Sequence, residues 1–164
     1  MNPTQGGWLI LVTIGVAMVL AIMHLPESWP QWLGWIRPAW IPLVIFYWVM
    51  ELPHRLGLTS AWIVGLCVDV LYADPLGLNG FLLAAITYFA WRFYERLRMY
   101  SVAQQCSVVF LLIMASESVR MMVQDLVWDR GWTWAVIIPA LTSTLLWPFV
   151  YLVLHRLQVQ VRIE

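Results

Sequence analysis

Six apolar runs follow one another along the chain, at about 8–25, 39–51, 58–72, 76–91, 102–123 and 132–154, with most charged side chains in the short gaps between them. A helix in water keeps a polar stripe, and these runs keep almost none, so lipid is the solvent that suits them. The pattern predicts an all-α polytopic membrane protein of six transmembrane helices, forming one integral membrane domain over residues 1–164. The second run is short. At ~1.5 Å per residue it falls well below the ~30 Å of a hydrocarbon core, so its ends must snorkel or the bilayer must thin. Pro139 and Pro148 interrupt the sixth run.

Composition agrees with the pattern. The chain is 62% hydrophobic and 11% charged, with mean hydropathy +0.78, against ~45–50% apolar and ~25% charged residues in a soluble domain. Formal net charge is zero, so nothing in the balance suggests nucleic acid as a partner. No basic segment precedes the first run, which is itself long enough to span, so a cleavable signal peptide is not expected. Cys67 and Cys106 both stand in apolar runs and read as small core residues rather than a disulfide or metal pair.

All nine basic residues are arginines, and their distribution orients the spans. Arg55, Arg92, Arg96, Arg98, Arg156 and Arg162 fall on the side shared by both termini; Arg37 and Arg130 fall on the other. The positive-inside rule then places both termini in the cytoplasm. Twelve tryptophans fit this layout as interface anchors: Trp29, Trp32, Trp35 and Trp40 at the outer end of spans one and two, Trp128, Trp132 and Trp134 at the outer end of spans five and six. Within segment 27–40, Trp29, Trp32, Leu33 and Ile36 share one helical face, which fits a short interfacial helix. An irregular loop carrying Trp anchors fits as well, because Pro26, Pro30 and Pro38 punctuate the segment.

Charges that break the runs are the candidate sites, because an ionised side chain at mid-membrane costs ~2.5–3.5 kcal/mol on insertion scales. Ala61, Gly65 and Asp69 share a face of span three at i, i+4, i+8. The small residues admit a neighbouring helix, and Asp69 then meets that neighbour. Two readings stand for Asp69: an ion, proton or partner site, or a hydrogen bond between helices or within the Asp74-Pro75 turn. If it serves only as an acceptor, Asp69→Asn is expected to be tolerated. After that turn, Gly77 allows tight backbone, and Gly80 with Ala84 repeats the small-residue spacing, so spans three and four should pack as a close hairpin. On span five Glu117, Arg120 and Gln124 share a face, with Asp125 nearby, and Asp69 could join them if spans three and five touch. A structural ion pair and a functional polar site are both open there. The turn holding His54 and Arg55 reads as a basic segment beside anionic lipid or as a docking site for a cytoplasmic partner; 92–98 reads as a cationic inner loop.

Signals for catalysis are weak. His24, His54 and His155 lie at span ends in no metal-ligand spacing, and no nucleophile elbow, zinc-protease motif or P-loop is present. No cofactor is expected.

Several blocks in order carry a family resemblance. They are Arg37-Pro-x-Trp40, Tyr47-Trp48, Leu52-Pro-His54-Arg55, Gly65-x-x-x-Asp69, Pro75-Leu-Gly77, Tyr88 and Leu146-Trp-Pro148. With length and span count, this series resembles the bacterial rod shape-determining protein family MreD over nearly the whole chain. The resemblance implies a non-enzymatic subunit of the cell-elongation machinery in the inner membrane. It implies MreC as main partner, with MreB, RodZ, RodA and penicillin-binding protein 2 as further members of the complex, and it leaves room for a homodimer. It also implies a fold similar to the substrate-binding subunits of energy-coupling-factor transporters, which makes an outward-opening pocket worth seeking. A binder or transporter of a small molecule or lipid-linked substrate is the alternative reading; it needs Asp69, Glu117 and Arg120 to converge on a polar cavity.

Overall fold

Nine of the ten residues from Ile41 to Met50 are buried, with only Pro42 half-buried, and they make the second helix the enclosed centre of the molecule. The structure, a computed structural model, describes residues 3–23, 37–128 and 134–160. Among the described residues six α-helices run in chain order: α1 Pro3–Ile22, α2 Trp40–Glu51, α3 Leu58–Tyr72, α4 Leu78–Met99, α5 Val102–Trp128 and α6 Ile137–Gln160, the last preceded by a 3-10 turn at Trp134–Val136. Among the described residues there is no strand. Helices α5 and α6 are long and apolar enough to cross a membrane; α1, α2 and α3 contribute shorter apolar stretches.

Helix α2 is only 12 residues long, or ~18 Å. It packs against α1, α4 and α6, which explains why it is apolar all round: it has no face left for water or lipid. Its aromatic side chains reach their polar partners inside the bundle. The indole N–H of Trp48 donates to Thr13 Oγ1 at 2.8 Å, and the Tyr47 hydroxyl donates to Gln158 Oε1 at 2.7 Å. Trp147, also fully buried, stacks edge-on against Phe46 and donates to Gln105 Oε1 at 3.1 Å. Indole thus has a second use here besides rim anchoring, where one polar N–H rides on a large apolar body.

Helices α3 and α4 make the closest approach. A Cβ on Gly65 would sit 2.5 Å from Gly80 N and 2.6 Å from the Asn79 carbonyl carbon, so backbone meets backbone with no room for a side chain. Ala61, one turn earlier on the same face, is fully buried, and Ala84 is half-buried one turn beyond Gly80. Small residues permit this packing.

Several boundaries differ from the apolar runs. Helix α4 continues to Met99 through 92–98, the stretch expected as a loop. Arg and Glu are good helix formers, and Arg96 and Arg98 lie in the last turn, where cations suit the helix dipole. Helix α6 passes Pro148 without a break and extends to Gln160. Pro139 lies in its first turn, where no intrahelical N–H bond is lost. Helix α1 begins at Pro3 and α5 ends at Trp128. Cys67 is exposed on α3 rather than in the core, and Cys106 is half-buried, its thiol 3.6 Å from the Thr144 carbonyl. The helix considered for 27–40, with Trp29, Trp32 and Trp35, and also Trp132, lies outside the described residues except at 37–40.

Candidate functional site

Asp69 is fully buried in the last turn of α3, and both of its oxygens are occupied. Oδ2 accepts the Gly77 backbone N–H and Oδ1 accepts the Asn79 backbone N–H, each at 2.8 Å. The first amides of a helix have no partner within it. Here a carboxylate from the preceding helix serves two of them, at the end of the helix dipole that favours negative charge. The connecting chain is shaped to allow this. Ala73 ends α3 in the left-handed region at φ 53, Asp74-Pro75 carries the turn, and Gly77 enters α4 at φ 95, a conformation glycine adopts without strain.

Asn79 is the junction between that turn and α5. Its side-chain NH2 donates to Asp74 Oδ2 at 3.0 Å, and its Oδ1 accepts from Arg120 Nη2 at 2.6 Å. Gln124 donates to the other Asp74 oxygen at 2.8 Å. Arg120 also stands 3.7 Å from Glu117 Oε1, a spacing looser than a charge-assisted hydrogen bond. The i, i+3, i+7 face of α5 therefore does turn toward the α3–α4 hairpin. Asp69 joins it through Asn79 rather than by touching Arg120. Asn79 itself was missed by sequence reasoning. Its signal was present, an amide side chain in the first turn of a helix between two glycines.

Beside this network lies a cavity of about 230 Å³. Its wall takes Leu20 and Ala21 from α1, residues 37–42 around the start of α2, Val68 and Tyr72 from α3, Asn79, Leu82, Leu83 and Ile86 from α4, and Ser116, Glu117 and Arg120 from α5, with Pro139 at the start of α6. The Tyr72 hydroxyl donates to the Ala21 carbonyl at 3.2 Å, pinning α3 to the end of α1. The side chains of Arg120 and Glu117 are 24% and 16% exposed. Asp69 is not part of the wall. A polar cavity built on Asp69, Glu117 and Arg120 together is therefore corrected to one that holds Glu117, Arg120 and Arg37, because the α4 amides already occupy Asp69. No group of His, Cys, Asp and Glu among the described residues is arranged to hold a metal ion.

The sequence model of the family described as rod shape-determining protein MreD matches residues 3–157. The chain belongs to the MreD family. It is similar to the rod shape-determining protein MreD of Haemophilus influenzae, 27% identical over 152 residues that cover 93% of this chain and 94% of the relative. No solved structure matches it. Membership of the MreD family makes this a membrane protein of rod-shape determination.

The remaining candidates of this MreD-family chain are spread around the bundle. Trp40 opens α2 at the cavity wall, while Trp128 and Trp134 are exposed at the end of α5 and just before α6. His54 and Arg55 are exposed in the turn after α2, at the end of that helix remote from the cavity. Beside that turn Glu51 faces Arg98, the last turn of α4, at 3.7 Å. Thus the basic turn and the polar cavity occupy opposite ends of the MreD bundle.

Proposed function

We propose that this chain is a multi-pass subunit of the bacterial inner (cytoplasmic) membrane, with both termini in the cytoplasm, that scaffolds cell elongation by binding MreC. It works without catalysis of its own, and through MreC it helps organise peptidoglycan synthesis with MreB, RodZ, RodA and penicillin-binding protein 2. The observation that carries this reading is the cavity. It opens at the end of the bundle where all six helices and the Arg37–Pro38 segment converge, and its lining mixes apolar side chains with a few polar groups. Recognition sites commonly have that composition. Five of the described arginines, Arg55, Arg92, Arg96, Arg98 and Arg156, lie toward the opposite end, which under the positive-inside rule turns the cavity outward. A partner with a single transmembrane helix would then lay the segment just outside the membrane across the cavity mouth, beside the close-packed α3–α4 hairpin.

The test is cysteine crosslinking in native membranes between positions 29–40 of this chain and full-length MreC. Crosslinks concentrated in that segment are expected. Uniform failure, with the chain present at normal level, removes the scaffold reading. Binding of a small molecule or lipid-linked substrate is a second reading, supported by the two arginines in the wall. A ligand retained in native mass spectrometry of the purified chain would favour it.

A further inference from the structure

The guanidiniums in the cavity wall lack full partners among the described residues. Arg37 and Arg120 contribute two guanidiniums and Glu117 a carboxylate, with Asp74 behind Asn79 as a second carboxylate. Arg120 Nη2 has Asn79, Nη1 has Glu117 only at 3.7 Å, and the buried Nε has no hydrogen-bond partner among the described residues. Arg37 is half-buried and makes no hydrogen bond or ion pair among the described residues. The polar groups share the wall with Val68, Leu82, Leu83 and Ile86, so water screens these charges less than it would at a surface. A guanidinium without a full set of partners in such a place gains them when an anion enters.

Resting on the docking role proposed above, we infer that the cavity is a carboxylate receptor: Arg37 and Arg120 receive the side chain of one Asp or Glu from the membrane-proximal segment of the partner. Guanidinium is the cation whose planar fork matches a carboxylate in two parallel hydrogen bonds. The anion is singly charged, because Glu117 in the wall and Asp74 behind Asn79 already offset positive charge there and would repel a dianionic phosphate. It is small. The cavity, about 230 Å³, lies below the ~300 Å³ at which pockets for whole ligands begin, and suits one or two side chains. Arg37 sets specificity, since no bond among the described residues holds it. Arg120 is held in place by Asn79, so the α3–α4 turn positions the second guanidinium.

The test uses the full chain co-expressed with full-length MreC, with photoreactive p-benzoylphenylalanine in place of Leu76, an exposed residue of the α3–α4 turn outside the cavity wall. A crosslink to the membrane-proximal segment of MreC is expected. It should fall by about tenfold or more in Arg37→Gln, as for loss of one member of a desolvated charge pair, and recover in part in Arg37→Lys. Arg37→Glu should abolish it, and reversing one Asp or Glu of the crosslinked MreC segment to Arg should restore it. No crosslink from position 76 in the otherwise unaltered chain would overturn the docking role itself. A crosslink undiminished in Arg37→Gln would leave docking intact and overturn the carboxylate receptor, as would failure of every charge reversal to restore Arg37→Glu. An anionic phospholipid bound to the purified chain and lost in Arg37→Gln would assign the guanidinium to lipid instead. Arg37→Gln removes no bond seen among the described residues, and monodisperse size-exclusion profiles of the Arg37 variants check that folding is unchanged.

Discussion

The two ends of the helix bundle are closed by different chemistry. Around the α3–α4 turn, Asp69, Asp74, Glu117 and Arg120 are tied to backbone amides, to amide side chains and to one another, and a cavity remains beside them. Toward the other end the polar groups that bridge helices inside the bundle are neutral, and the arginines stand outside them. Gln105 bridges the Leu97 carbonyl and the Trp147 indole, Tyr47 meets Gln158, and Tyr151 stacks on His155 with ring centroids 5.7 Å apart. A buried charge without a partner is costly, so the first end stands or falls as a unit. Neutral bonds contribute ~0.5–1.5 kcal/mol each, so the second end can lose one and keep its packing. An end that holds charge at the lip of a cavity is suited to recognition, and an end filled with indole and phenol rings is suited to keeping helices together.

Perturbing the close contact between α3 and α4 should erase the difference altogether. Gly65→Val places a branched side chain where backbone atoms of Asn79 and Gly80 already stand within 2.6 Å of the first carbon. Neither backbone can yield without moving α4, so the cost should exceed the ~1–3 kcal/mol usual for overpacking. The expected outcome is loss of folded protein from membranes, read as the monodisperse peak in fluorescence-detected size exclusion. A normal peak would mean that the hairpin is looser than this contact implies.

Next in size is Asp69→Ala, which leaves the buried amides of Gly77 and Asn79 without acceptors. At ~1–3 kcal/mol for each orphaned group, a loss of ~2–5 kcal/mol is expected, measured as a lower midpoint in detergent thermal unfolding. Asp69→Asn sharpens the matter. A merely accepting role at first suggests that Asn should be tolerated, but both oxygens accept. An amide side chain keeps one acceptor and turns an NH2 toward the second N–H. Asp69→Asn is therefore expected to fall close to Asp69→Ala in stability. A near-normal midpoint would show that one amide bond suffices.

At the filled end, Gln105→Leu keeps the volume but removes the acceptor of the Trp147 N–H and a donor to the Leu97 carbonyl. The loss should be ~1–3 kcal/mol, with crosslinking to MreC retained in the molecules that remain folded. Loss of crosslinking without loss of stability would link the two ends, and the division of roles would fail.

How much of this could be read from the chain follows the reach of each interaction. Helix α3 matches its apolar run at both ends, Leu58–Tyr72, because Gly57 before it and Asp74-Pro75 after it are local signals. The small residues Gly65 and Gly80 pointed to the hairpin because spacing on a helix face is also local. Helix α4 outran its apolar stretch because hydropathy reports the solvent of a segment, whereas Arg92, Glu95, Arg96 and Arg98 remain good helix formers outside lipid. At the site, the shared face of Glu117, Arg120 and Gln124 was legible from periodicity. Their partners were not, because Asn79 lies 41 positions from Arg120 and Asp74 lies 50 from Gln124. Trp48 with Thr13 and Trp147 with Gln105 were hidden in the same way, 35 and 42 positions apart. Only the fold brings such pairs together.

The smallest effect is expected where the charges are most conspicuous in the sequence. Arg98 faces Glu51 at 3.7 Å, with side chains 53% and 10% exposed. Half of the arginine remains in contact with solvent, so the gain from the pair is screened, and holding a long side chain in place costs entropy. Arg98→Ala should therefore lower stability by less than ~1 kcal/mol, with a shift in the thermal midpoint that shrinks further in high salt. Its value as one of the arginines that orient the chain is separate, since topology is set by the summed Lys and Arg bias rather than by any one pair. If Arg98→Ala costs as much as Asp69→Ala, Glu51 is functionally a buried carboxylate in need of its partner. The two ends would then differ only in whether a cavity lies beside the charge.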